Sequence, residues 1–255
     1  MEAISGLDNL PALIHLNLDQ NRLCDLNVPS GVRLGSLRSI KLTQNNFGTF
    51  DVSQYPNLRI LYMDNNRLRD IGGLSRAKHL DSISTREQDV KEFTIPSDRM
   101  FEARKIYLSG NPLRDLNLKL NFLNLQYLEL ASAQLTSLPE DFGYLVCNTR
   151  VLNLNNNAIS DLRPLLGIVR LKKLLLVGNR IKSAKKTGAV LGHFQSLSYL
   201  DIRWGHSDSS PFYFFFSLYL GFLYTQSVAQ PRFGYSVTLN LLALLLTSTF
   251  TIVPE

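Results

Sequence analysis

The side chains in this 255-residue sequence with the strongest claim on covalent or metal chemistry are four histidines and two cysteines. His15, His79, His193 and His206 stand far apart, none with a second ligand at metal spacing. Cys24 and Cys147 by themselves build neither a disulfide framework nor a cysteine-held zinc or iron–sulfur site, and so few cysteines suit a reducing, cytoplasmic setting. The nearest approach to a phosphate-binding loop, Ile71-Gly72-Gly73-Leu74, lacks the lysine and the strand–helix setting of a P-loop. A nucleophile elbow and a catalytic carboxylate pair are both missing. The expectation is a non-enzymatic chain without cofactor or metal.

Recognition chemistry is better represented. Tyr62, Tyr107 and Tyr127, with Arg86 and Lys105, recur at one phase of a repeat, and tyrosine and arginine are the types that dominate interface hot spots. A second group is a basic run in which Arg163, Arg170, Lys172, Lys173, Arg180, Lys182, Lys185 and Lys186 follow one another with no acidic residue between them. Such a run attracts an anionic partner, a phosphorylated segment or an acidic protein surface. Nucleic acid is the weaker candidate because no stacking aromatics alternate with the charges.

These residues need a scaffold that presents them in rows, and the sequence supplies one. LIHLNLDQNRLCDL, from Leu13, has the frame L-x-x-L-x-L-x-x-N-x-L-x-x-L, which recurs from Leu37, Leu58, Leu80, Ala103, Leu125, Thr149, Leu171 and Leu197 at intervals of 21 to 26 residues. The period lies in the range of about 20–29 residues that marks leucine-rich repeats. In each copy the fourth and sixth residues, such as Leu61 and Met63, point inward from a short strand, and the third, fifth and seventh point outward. One coil cannot cover its own apolar face, so coils stack. The fold expected over residues 1–203 is an α/β leucine-rich-repeat solenoid: a curved horseshoe with a parallel β-sheet on the concave face and short 3-10 or irregular convex segments.

The ninth residue of the frame is asparagine in six copies: Asn21, Asn45, Asn66, Asn111, Asn157 and Asn179. A buried amide there supplies donors and an acceptor to backbone groups left unpaired where the chain leaves the strand. Gln88, Ala133 and Gly205 interrupt the ladder, and looser or water-filled turns are expected at those copies. Ile4, Leu7 and Leu10 have the spacing of a convex segment without its strand, so the chain reads as starting in mid-repeat.

The formal charge of +6 is unevenly held. From Trp204 onward the only charged residues are Asp208, Arg232 and Glu255, leaving +7 on residues 1–203. Residues 204–255 form a non-repeat apolar tail. Its apolar runs, Phe212–Tyr224 and Val237–Val253, are shorter than the roughly 20 residues that cross a bilayer. Thirteen of the seventeen residues in Ser207–Leu223 are Phe, Leu, Ser or Pro, all encodable by pyrimidine-only codons. A translated intron, an irregular buried cap and a tail anchor remain open for this segment; membrane association is expected only with the last.

Residues 57–89, NLRILYMDNNRLRDIGGLSRAKHLDSISTREQD, resemble the leucine-rich repeats of the fungal spindle-pole-body scaffold of the septation initiation and mitotic exit networks, a centriolin-like family. The residues that carry the likeness are Gly73-Leu74-Ser75, then Leu80-Asp81-Ser82-Ile83-Ser84, then Arg86-Glu87-Gln88 in place of the asparagine turn. The resemblance covers about residues 1–203. It implies a cytoplasmic, non-enzymatic scaffold at the spindle pole body, part of the cytoskeleton, that recruits a small GTPase and kinases to trigger cytokinesis. A second resemblance, to the leucine-rich-repeat regulatory subunit of phosphatase-1, implies a phosphatase partner instead.

Overall fold

The computed structural model describes residues 1–203 except Ala3, 94–101, 114–115 and 117–120. The expectations placed on the tail and on Gly205 lie outside the described residues.

Each leucine frame forms a strand of three residues, because the turn that follows allows no more. Among the described residues nine of these strands make one parallel sheet: β1 (His15–Asn17), β2 (Ser39–Lys41), β4 (Ile60–Tyr62), β6 (Ser82–Ser84), β7 (Lys105–Tyr107), β8 (Tyr127–Glu129), β9 (Val151–Asn153), β10 (Lys173–Leu175) and β11 (Tyr199–Asp201). The register never slips. Leu16, Ile40, Leu61, Ile83, Ile106, Leu128, Leu152, Leu174 and Leu200 stand opposite one another in a single column. A one-residue slip in any pair would send that column to solvent, so the apolar pattern alone enforces the register. The fold is the expected leucine-rich-repeat solenoid.

Two further strands, β3 (Thr49–Asp51) and β5 (Asp70–Gly72), pair in parallel and place Phe50 beside Ile71. Phe47, Phe50 and Tyr55 pack there, edge-on at 5.8 Å and stacked at 5.7 Å between ring centroids. Elsewhere among the described residues the chain forms single 3-10 turns at Leu7–Asn9, Val52–Gln54, Leu74–Arg76 and Arg163–Leu165, one helical turn α1 (Phe142–Leu145), and α2 (Ala184–Leu191), capped by the Ser183 side chain, which accepts from Lys186 N. Gly72 closes β5 and Gly73, at φ 72°, opens a 3-10 turn. A Cβ on Gly73 would overlap Asp51 Oδ1 and Ser53 N. The glycine pair thus has a strand-to-helix setting that the sequence did not suggest, still without a lysine.

The backbone turns the same way after the strand in eight coils. The eighth residue of the frame is left-handed in every one: Gln20, Gln44, Asn65, Glu87, Gly110, Ser132, Asn156 and Gly178 all have φ between 50° and 76°. That conformation folds the ninth side chain back into the coil. Asn66 Nδ2 donates to Leu42 O of the preceding coil at 2.9 Å and to Met63 O of its own at 3.0 Å, while Oδ1 accepts from Phe47 N at 3.0 Å. Asn45, Asn157 and Asn179 repeat this geometry.

The looser turn expected at Gln88 does not form. Its side chain reaches one methylene further and makes the same connections, to Met63 O at 2.9 Å and from Leu68 N at 3.0 Å. At Ala133 the main chain substitutes for the amide. Leu113 N donates to Ala133 O, and the next asparagine, Asn157, accepts from both Ala133 N and Leu135 N. Ala133 is fully buried, so this turn too is closed.

The first residue of the frame is apolar in every copy but one. Thr149 holds the position fully buried, and its hydroxyl has no hydrogen-bond partner. Replacing it with the near-isosteric valine, Thr149→Val, removes an unpaid desolvation and should stabilise the chain by about 1 kcal/mol in denaturant titration. Asn66→Ala should act oppositely, losing about 1–3 kcal/mol because it strands the buried Phe47 N–H, while Leu42 O and Met63 O keep Asn45 and Gln88 as donors.

Candidate protein-interaction face

The outward residues of the sheet are set by the pleat, and the register brings the predicted tyrosines together. Tyr62 lies two strands from Tyr107, and Tyr107 faces the Tyr127–Glu129 strand directly. Ring centroids are 6.5 Å apart for Tyr62 and Tyr107, nearly perpendicular, and 4.8 Å for Tyr107 and Tyr127. Between Tyr62 and Tyr107 the intervening strand carries only Ser82 and Ser84, small enough to let the rings meet across it. Tyr62 Oη lies 3.4 Å from Ser82 Oγ. Lys105 is exposed on the same strand as Tyr107, paired with Ser82 and Tyr127.

Arg86 stands at the centre of this row, fully engaged. Its guanidinium carbon is 4.4 Å from the Tyr107 ring centroid. Its Nε and Nη2 donate to Glu129 Oε1 and Oε2 at 2.7 and 3.0 Å, a bidentate pair two coils away, and Nη1 donates to Asp64 Oδ2 at 3.2 Å on the other side. Asp64 Oδ1 accepts from Arg86 N at 2.8 Å and from the Ser84 hydroxyl. Glu129 also accepts from the Tyr127 hydroxyl at 3.2 Å. One cation therefore ties together four coils, the third to the sixth.

The electrostatics follow from that geometry. Burial raises the Glu129 carboxyl, but the hydrogen bonds from Arg86, Ser109 and Tyr127 together with the Arg86 charge outweigh it, and the group stays below the usual glutamate value. The bond to Glu129 holds Arg86 above its own ordinary value. Burial, then the Glu129 charge, push the Tyr127 hydroxyl up to about 12, and burial raises the Tyr107 hydroxyl as well, so both are neutral at cellular pH.

Asp64 and Glu129 hold Arg86 within the row, and hot-spot reasoning passed over both. Both stand at outward positions of the frame, and the alternation of an acid, a base and an acid across Asp64, Arg86 and Glu129 was the available signal.

The basic run is distributed around its coils. Lys173 lies on the concave strand with its ammonium 4.4 Å from the Tyr199 ring centroid. Arg170 and Lys172 precede that strand, Arg180 and Lys182 follow the asparagine turn, and Lys185 and Lys186 sit in the first turn of α2. Arg163 is paired with Asp161 through Nε at 2.8 Å. The charges form a collar rather than one flat patch. Among the described residues no group of three His, Cys, Asp or Glu could hold a metal ion, and no helix is long and apolar enough to cross a membrane.

Similarity to known proteins agrees with this architecture. No protein-family model matches the chain. Over 153 residues, 60% of its length, the chain is 38% identical to the septation initiation network scaffold protein cdc11 of Schizosaccharomyces pombe, of which it spans 15%. Among solved structures it is similar to human 5T4, the trophoblast glycoprotein, with a TM-score of 0.60 at 19% identity over 78% of this chain and 80% of that one. It is also similar to a leucine-rich-repeat protein of Leptospira interrogans, with a TM-score of 0.55 at 22% identity over 76% and 56% of the two chains. The chain is a leucine-rich-repeat protein, and the resemblance to the septation scaffold holds.

The Arg86–Glu129 pair is part-buried, so breaking it from either side should cost about 1–2 kcal/mol, below the range for fully buried pairs. Arg86→Ala, Glu129→Gln and the double variant form a cycle whose coupling energy, read from denaturant midpoints, measures it. Because the folded Glu129 value is depressed, its stabilisation is complete above the ordinary glutamate value of 4.5 and is lost as pH falls below that through the folded value. Glu129→Gln should flatten the acid limb of stability against pH.

Proposed function

We propose that this chain is the partner-binding part of a scaffold in septation initiation signalling, and that it binds a protein along Tyr62, Tyr107 and Tyr127 on the concave face. The observation that carries the reading is the pinned row itself. Arg86, locked between Asp64 and Glu129, fixes Tyr107 in place before any partner arrives, which lowers the ordering cost of binding. Large aromatic surfaces held rigid on a sheet are what an interface hot spot requires.

The relationship to the cdc11 scaffold supports the septation setting. By that resemblance the chain acts at the spindle pole body, in the cytoplasm, and its bound protein belongs to a set that includes a small GTPase and kinases. The chain spans about 15% of that relative's length. The collar of Arg170, Lys172, Lys173, Arg180, Lys182, Lys185 and Lys186 attracts an acidic or phosphorylated partner to the coils beyond the tyrosine row. Its role is binding rather than catalysis.

Tyr107→Ala with Tyr127→Ala removes the centre of the row without touching the Arg86–Asp64 contact. A tagged chain carrying both changes, recovered from dividing cells and quantified by mass spectrometry, should lose pole-body and septation-network proteins at least tenfold against wild type. Circular dichroism and melting temperature should hold. Undiminished recovery would reject the concave face as the binding surface.

A further inference from the structure

Away from the concave sheet, the convex side carries an unexplained apolar surface. Large apolar side chains that are exposed occur at Met1, Leu10, Ile14 and Tyr199, which belong to the first and last described coils, and at Leu123, Tyr144, Leu166 and Val169. The last four all fall on the fifth, sixth and seventh coils, and the repeat aligns them. Leu123, Cys147 and Val169 each stand two residues before the start of the next frame. Tyr144 and Leu166 each stand five residues before it. Hydrogen bonds hold the first row in step: Asn148 Nδ2 donates to Leu123 O at 2.8 Å, and Val169 N donates to Cys147 O at 3.1 Å.

The second row is drawn together by a close backbone contact. Gly143, inside α1, and Gly167, after the next 3-10 turn, approach so nearly that a Cβ on Gly143 would lie 2.6 Å from Pro164 O. That contact brings the Tyr144 backbone against Gly167, the residue that follows Leu166. Tyr144 and Val169 are each 70% exposed, and Leu123 is 59% exposed. No core explains side chains of this size left in water on adjacent coils.

The rim gives the surface a charge. Arg170 follows Val169 directly, and Lys172 N donates to Arg150 O at 2.8 Å, so Arg150, Arg170 and Lys172 line the side of the patch nearest the strands. All three are exposed, and among the described residues none is in an ion pair. Glu140 and Asp141 lie on the opposite side, ahead of α1.

We propose that Leu123, Tyr144, Leu166 and Val169 form a second docking surface, which takes a short apolar segment of another protein bearing acidic residues along one flank. The apolar side chains of that segment cover the two rows, and its acids meet Arg150, Arg170 and Lys172. The long-range field favours such a partner over a second copy of this chain, which would bring the same net charge of +6. The surface is independent of the concave tyrosines.

A random library of 16-residue peptides, panned on the full chain and counter-selected on the Tyr144→Asp/Val169→Asp variant, tests this. Both positions are exposed, so the variant keeps its fold, and circular dichroism checks that. The expected survivors carry three or more apolar residues and a net negative charge. By fluorescence anisotropy they should bind wild type and the Tyr107→Ala variant equally, and bind the Tyr144→Asp/Val169→Asp variant and Arg150→Glu/Arg170→Glu at least tenfold more weakly. Survivors without net negative charge, affinity unmoved by the patch variants, or no enrichment would overturn the proposal. So would a concentration-dependent dimer in sedimentation that Tyr144→Asp/Val169→Asp abolishes, since that would assign the surface to a second copy.

Discussion

Everything in this molecule depends on a shortage of backbone hydrogen-bond partners at one bend. A three-residue strand followed by a left-handed residue turns the chain sharply, and the carbonyl of the sixth residue in each frame is then buried without a strand to pair with. The side-chain amide three residues later resolves this by bridging the carbonyls of its own coil and of the one before. The same amide that closes a turn therefore also joins neighbouring coils. Leucine packing supplies the larger free energy, but it is non-directional, and the amide determines how far one coil is translated from the next.

That regular translation makes the concave face possible. Parallel strands in constant register place outward side chains of successive coils a few ångströms apart, so Asp64, Arg86 and Glu129 form a charge sequence running across the strands. Interactions perpendicular to the chain direction are hard to see in a linear sequence, yet they set the rigidity of the tyrosine row. A guanidinium with two carboxylates and an aromatic face as neighbours has little freedom left. Arg86 consequently behaves as a positioning residue for Tyr107 more than as an exposed contact.

The solenoid itself was legible in the sequence because a repeat multiplies a weak signal: the frame from Leu13 means little alone and a great deal in nine copies. The asparagine ladder was legible for the same reason. Gln88 was misread, since the frame registers residue type while the turn registers reach, and one extra methylene still delivers an amide to Met63 O. Ala133 was misread because main-chain atoms, invisible in the pattern, closed its turn. Of the interaction face, Tyr62, Tyr107 and Tyr127 were legible as outward positions. Glu129 was not singled out, because its partner Arg86 lies 43 residues away in sequence. The collar of lysines and arginines looked like one patch because sequence proximity on a coil hides that successive residues pass around all its sides.

The turn at Ala133 has a mechanical meaning as well. In a stack where each coil touches only its neighbours, load along the axis passes through every interface in series, and the least-connected one yields first. Amide bridges tie the described coils on either side, through Asn111 below and from Asn157 above, but at the sixth coil no side chain spans the two buried carbonyls. Between the fifth and sixth coils the link is carried instead on the concave side, where Arg86 reaches Glu129 and Tyr107 packs on Tyr127, so load across that interface passes through the tyrosine row itself.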